Sequence, residues 1–152
     1  MADRLRASIE ELNARSAGYL PGLIGLEILE VGKGRVRSRL VLRQELMATN
    51  GFLAAGSVVT LADTSCGYGT LAHLPESSTG WTTIELKANL IGTTRSGSVE
   101  CEATLVHGGR STQVWDARVL ETGGRTIALF RCTQMLLYRT KRESDAESAK
   151  GA

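Results

Sequence analysis

The chain has little to tie it to a nucleic acid, a membrane, a metal or an oxidising compartment. Over 152 residues its formal net charge is only +2, whereas nucleic-acid binding calls for a clearly basic face. No apolar run approaches the roughly 20 residues that a bilayer-spanning helix needs. The N-terminus lacks a charged segment followed by a hydrophobic signal core, so the cytoplasm is the expected location. Cysteines are few and odd in number: Cys66, Cys101 and Cys132, each inside an apolar segment. They are expected as reduced core residues, neither a disulfide framework nor a metal site. No Cys/His spacing suits zinc. A Gly-x-Ser-x-Gly elbow is missing, which leaves serine chemistry of the α/β-hydrolase type unsupported. Gly32-Lys33-Gly34 lacks the third glycine and the following helix of a dinucleotide fingerprint. No metal and no cofactor is therefore expected.

What is present is the composition of one ordinary globular domain, 42% apolar and 22% charged. Leu5, Ile9, Leu12 and Ala2 share one face at helical spacing, so a short amphipathic helix is predicted over 3–16. Tyr19-Leu20-Pro21-Gly22 is predicted to break it. A strand follows from Gly25 to Val31, with Gly32-Lys33-Gly34 as a hairpin turn. Val36, Ser38, Leu40 and Leu42 then alternate with Arg35, Arg37 and Arg39, as in a half-exposed antiparallel strand with a solvated arginine face. Residues 43–53 form a loop. A long helix runs from Ala55 to about Leu74 and is stopped by Pro75. Four strands are predicted at 80–91, 97–107, 111–122 and 125–138, with turns at Ser96-Gly97, Gly108-Gly109 and Gly123-Gly124. The tail from Thr140 is polar and without periodicity, and is expected to be disordered. The chain thus divides into an N-terminal helix and linker (1–24), a domain (25–138) and a tail (139–152).

The long helix is apolar around most of its circumference, so the sheet must cover it. It is rich in small residues, Gly67 and Gly69 among them. A glycine inside a helix costs about 1 kcal/mol relative to alanine, which is tolerable where the sheet leaves no room for side chains. A kink near Gly67 is the competing expectation. Within this apolar run stands one carboxylate, Asp63, flanked by Val58, Val59, Leu61 and Ala62. A buried carboxylate is costly unless partnered or functional. The helix start at Ala55 and Gly56 offers unpaired N–H groups backed by the positive end of the helix dipole.

Asn50-Gly51-Phe52-Leu53-Ala54-Ala55-Gly56 followed by Leu61-Ala62-Asp63-Thr64 resembles the signature of the PaaI-type acyl-CoA thioesterases. The likeness extends through Thr83-Ile84-Glu85-Leu86-Lys87-Ala88-Asn89, Arg95-Ser96-Gly97 and Val106-His107-Gly108-Gly109-Arg110-Ser111-Thr112, and covers roughly residues 25–138. The resemblance implies an α+β hotdog fold, an antiparallel sheet wrapped around a long central helix. It implies Asp63 as nucleophile or as general base toward water. It also implies an oxyanion hole at the N–H groups of Ala55 and Gly56, with Asn50 helping to hold the carbonyl or the water. Arg110 and Ser111 match positions that contact coenzyme A phosphates, and Arg95 lies on a loop able to do the same. Active sites of this kind lie between two subunits, so a homodimer or homotetramer is expected.

The chain departs from the family at Ala54, where relatives often carry a histidine that the resemblance would place beside the substrate carbonyl. The implied activity is hydrolysis of an aryl- or medium-chain acyl-CoA to free acid and coenzyme A, with no nucleic-acid or membrane partner. Ala54 keeps open a second reading, an acyl-CoA sensor that binds without turnover. A hydratase or dehydratase ranks last, because it needs an Asp/His pair on the helix and Asp63 has no histidine nearby.

Overall fold

A computed structural model describes residues 5–151. In chain order these form α1 (Ile9–Ser16), α2 (Leu20–Ile24), β1 (Glu27–Gly32), β2 (Arg35–Val41), a 3-10 turn (Gln44–Leu46), α3 (Ala55–Ala72), β3 (Ser78–Leu90), β4 (Ser98–Gly108), β5 (Thr112–Glu121), β6 (Thr126–Tyr138) and α4 (Lys141–Lys150). The strands make one antiparallel sheet in the order β1-β2-β4-β5-β6-β3. Its inner face wraps α3 in the hotdog arrangement.

Strand alternation decides what lies between sheet and helix. Val36, Ser38 and Leu40 of β2 point inward, as do Val99, Cys101 and Ala103 of β4, and all are buried. Trp115, Ala117 and Val119 of β5 and Phe130, Cys132 and Gln134 of β6 continue the layer, against Leu61, Ala62 and Cys66 of α3. Full burial of one large aliphatic or aromatic side chain contributes roughly 1.5–3 kcal/mol, so this layer carries the fold.

Close approach explains one helical glycine and not the other. A Cβ at Gly69 would sit 2.6 Å from the Trp115 ring, whereas one at Gly67 would meet Trp81 Nε1 at 3.4 Å, near ordinary contact. Trp115 is fully buried, and its Nε1–H donates to Gln113 Oε1 at 3.0 Å, so the ring cannot easily move. The helix runs unbroken through both glycines. Gly69→Ala is therefore expected to lower stability by about 1–3 kcal/mol through overpacking, less the helix-propensity gain. Gly67→Ala is expected to be neutral or stabilising by up to about 1 kcal/mol. Denaturant melts of the two variants decide this, and equal signs would contradict the packing account.

Several expectations are corrected. Helix α1 begins at Ile9, not near residue 3, because Ser8 and Glu11 form a capping box: Ser8 Oγ accepts Glu11 N–H at 3.2 Å and Glu11 Oε2 accepts Ser8 N–H at 2.7 Å. Ala2, expected on the same face, lies outside the described residues. The first helix does end before Tyr19–Gly22, at Ser16, but a second short helix, α2, follows at once. Pro21 sits in the first turn of α2, where its missing N–H costs nothing. The arginine row of β2 is not simply solvated but cross-paired: Arg39 with Glu27 at 2.7 Å and Arg37 with Glu100 at 2.9 Å. Such pairs are screened by solvent and serve chiefly to keep this outer face polar. Beyond Tyr138 the expected disordered tail is helix α4, started by a second capping box between Thr140 and Glu143. Among the described residues no helix is long and apolar enough to cross a membrane.

Candidate active site

The start of α3 is held by a loop that leaves its N–H groups unused. Ala54 N–H and the Ser57 hydroxyl both donate to Leu46 O, at 3.2 and 2.7 Å, and Leu53 N–H donates to Thr94 O at 3.0 Å. Asn50 Oδ1 accepts Phe52 N–H at 3.2 Å, closing a turn in which Gly51 takes φ +82°, a conformation that suits glycine. Arg95 stacks over the Phe52 ring at 4.0 Å, which brings it beside this loop. Ala54 is the N-cap and supplies no side-chain cap. The N–H groups of Ala55 and Gly56 have no partner among the described residues, and both residues are exposed. A helix start without a cap is a ready site for a developing negative charge.

Asp63 lies in the middle of α3 and is half-buried. Burial pushes its carboxyl above the ordinary aspartate value, partly offset by a hydrogen bond from Thr83. The Thr83 hydroxyl of β3 approaches Asp63 Oδ1 at 3.3 Å and Gln134 Oε1 at 2.9 Å, and Gln134 Nε2 donates to Cys132 Sγ at 3.3 Å. Asp63 Oδ2 has no partner among the described residues. Neither Thr83 nor Gln134 was singled out as a site residue from the sequence. The signal available was Gln134 itself, a polar residue at an inward position of β6 between Cys132 and Leu136.

Asn50, Ala54, Ala55, Gly56 and Arg95 are thus gathered at one end of α3. Asp63 is eight residues along the helix from Ala55, about 12 Å at 1.5 Å per residue. One thioester carbonyl cannot touch both within a single chain. Arg110 and Ser111 lie farther still. The Ser111 carbonyl accepts Leu136 N–H at 2.9 Å and the Arg110 carbonyl accepts the Tyr138 hydroxyl. The Arg110 side chain lines a cleft of about 540 Å³ with Glu76, Thr79, Tyr138 and Arg139, past the C-terminal end of α3.

The remaining polar candidates serve structure. His73 caps the end of α3 through Nδ1 to Gly69 O at 2.7 Å, as expected of a helix C-terminal partner, and also accepts Gly34 N–H at Nε2 at 2.7 Å. The three cysteines are free and buried. Contact with Cys132 and burial push the Cys66 thiol well up, and burial pushes Cys101 up to about 12, so neither is a ready nucleophile.

The sheet wrapped around one long helix agrees with comparisons to known proteins. A profile of the Thioesterase superfamily matches residues 50–128, from the Asn50 turn into β6. The chain belongs to the thioesterase superfamily. It is a thioester hydrolase. Within the superfamily it is 28% identical over 110 residues to a 1,4-dihydroxy-2-naphthoyl-CoA hydrolase of Listeria monocytogenes, covering 72% of this chain and 89% of that protein. It is 27% identical to the putative esterase ComA2 of Bacillus subtilis over 76% of this chain and 92% of that one. A mutant of thioesterase PA1618 from Pseudomonas aeruginosa superimposes with a TM-score of 0.86 at 24% identity, over 91% of this chain and all of that one. A mutant of the phenylacetic acid degradation protein PaaI from Thermus thermophilus has the same fold, with a TM-score of 0.70 at 21% identity over 77% of this chain and 97% of that one.

Proposed function

We propose that this thioesterase hydrolyses an acyl-CoA, of the aryl or medium-chain class, to free acid and coenzyme A. One observation carries the proposal: a half-buried carboxylate of raised proton affinity on α3, in a chain whose α3 start presents two unpartnered N–H groups. The named activity of the Listeria monocytogenes relative supports an aromatic acyl-CoA. The thioester oxygen rests against the N–H groups of Ala55 and Gly56, where charge develops as the tetrahedral intermediate forms. Asp63 attacks the carbonyl, or takes a proton from the water that does. Thiolate is a good leaving group, so no strong general acid is required. Asn50 helps to orient the carbonyl or the water. Arg95, Arg110 and Ser111 hold the coenzyme A phosphates, for which the guanidinium fork is suited.

The 12 Å between Asp63 and Ala55 calls for two chains, with Asp63 of one protomer facing the helix start of the other. The edge strand β3 is the natural seam. Among the described residues it pairs only with β6, and it exposes Ile84, Leu86 and Leu90 along its length. A long apolar edge of this kind is stable only when paired or covered. Pairing of β3 across a two-fold axis gives a dimer, and a dimer of dimers is a further step of the same closed symmetry.

Ala54 keeps the binding-only reading in view, because the N-cap contributes no side chain to the reaction. A thiol-release assay with benzoyl-CoA and hexanoyl-CoA separates the two. Turnover by the parent is expected, with a rise of roughly 10-fold or more in Ala54→His if an imidazole beside the carbonyl adds acid–base help. Tight binding of both esters without release of thiol would favour the sensor.

A further inference from the structure

We propose that Gln134 is a positioning residue that sets how readily Asp63 gives up its charge, by competing with Asp63 for the single hydroxyl proton of Thr83. The inference rests on the role given to Asp63 above. Thr83 Oγ1 has two acceptors in reach, Gln134 Oε1 at 2.9 Å and Asp63 Oδ1 at 3.3 Å, and one proton to share between them. Hydroxyl hydrogen bonds centre near 2.7–2.8 Å, so the shorter contact, to Gln134, takes the larger share of the proton. Gln134 is fully buried, and its Nε2 donates to Cys132 Sγ at 3.3 Å, which keeps Oε1 turned toward Thr83. Ionised Asp63 thus keeps only the longer, weaker share of this hydroxyl. Protonated Asp63 is served at once, because its own O–H donates to Thr83 Oγ1 and the row Asp63–Thr83–Gln134 is then fully satisfied.

Other groups around Asp63 do not supply an alternative control. Those that face it are Thr83 on β3 and the thiols of Cys66 on α3 and Cys132 on β6. Elsewhere the sheet presents to α3 the uncharged Ser38 of β2, Cys101 of β4 and Trp115 of β5. Among the described residues no cation pairs with Asp63. The acceptor on Gln134 is the part that a same-sized apolar residue would remove.

The test follows the titration of Asp63 directly, by carboxyl ¹³C NMR of aspartate-labelled protein assigned with Asp63→Asn, beside pH–rate profiles on benzoyl-CoA. In Gln134→Met the Thr83 proton is released to Asp63. Its titration and the acid limb of kcat/KM are expected to move to lower pH, so that on the acid side roughly three- to tenfold more of the plateau rate remains. In a Thr83→Val background the same substitution is expected to move neither, and Thr83→Ser should restore the response. An unchanged or upward titration in Gln134→Met, or a response that persists without the Thr83 hydroxyl, overturns the proposal. If Gln134→Met does not fold, neutron diffraction on the unaltered protein decides: hydrogen on the Gln134 side supports it, hydrogen on the Asp63 side refutes it. Hydrolysis retained in Asp63→Asn would instead remove the catalytic role of Asp63 while leaving the NMR result intact, so the two failures are distinct.

Discussion

Asp63→Asn is expected to lower kcat on an acyl-CoA by roughly 10²–10⁴-fold, the range contributed by a positioned base or nucleophile. Coenzyme A binding should persist, because the proposed mechanism uses Asp63 at the reacting carbon and not at the phosphates. The fold should gain from the change, and the pH dependence shows why. Burial raises the folded-state proton affinity of Asp63 above its unfolded value. The favourable contribution of the protonated carboxyl is therefore complete below the unfolded value and is lost as pH rises through the raised, folded one. Asparagine never ionises, so Asp63→Asn is expected to raise Tm at neutral pH and to make little difference in strong acid. A less active but more stable protein is the signature of a strained functional group. Unchanged thiol release in this variant would take Asp63 out of the mechanism, and a lower Tm at neutral pH would remove the burial account of its titration.

Most of the architecture was readable in the chain, because strand alternation and one apolar helix leave few ways to fold. The β2 pattern of Val36, Ser38 and Leu40 against three arginines gave both strand and face, and small residues along 55–72 gave the helix that the sheet must wrap. Gly69 against Trp115 bears out the close-packing argument in atomic terms. Local signals were less well weighed. Ser8 and Glu11 define a helix start that hydrophobic spacing alone places too early, and the segment that ends the first helix also opens a second, with Pro21 in its first turn. Of the candidate site, Asp63, Ala55 and Gly56 were legible, since a carboxylate in an apolar helix and an uncapped helix start are both local anomalies. Thr83 and Gln134 were not. They join Asp63 through pairing between β3 and β6, from positions 51 apart in sequence. Such a row exists only once strand register is known, and periodicity supplies faces but not register.

Mixing two inactive variants is expected to restore about a quarter of the parental activity, because each proposed site draws on both chains. The first variant is Asp63→Asn, whose helix start is intact. The second is Ala55→Pro. Ala55 is the first residue of α3, and Ala54 before it has φ −67° and ψ 139°, a conformation that a following proline favours. Proline at this helical position keeps the helix and removes only the N–H aimed at the oxyanion, at an expected cost of roughly 10²–10³-fold in kcat. In a mixed dimer the Asp63 of the Ala55→Pro chain meets the intact helix start of the Asp63→Asn chain, which rebuilds one site. The other site carries both lesions. After subunit exchange about half of the dimers are mixed, and half of their sites work. Light scattering at micromolar concentration should report a dimer or a larger even oligomer throughout. Sites built within single chains would give no recovery at any mixing ratio. In that case the 12 Å between Asp63 and Ala55 would have to be closed by a movement of α3, since a straight helix of fixed rise cannot bring them together.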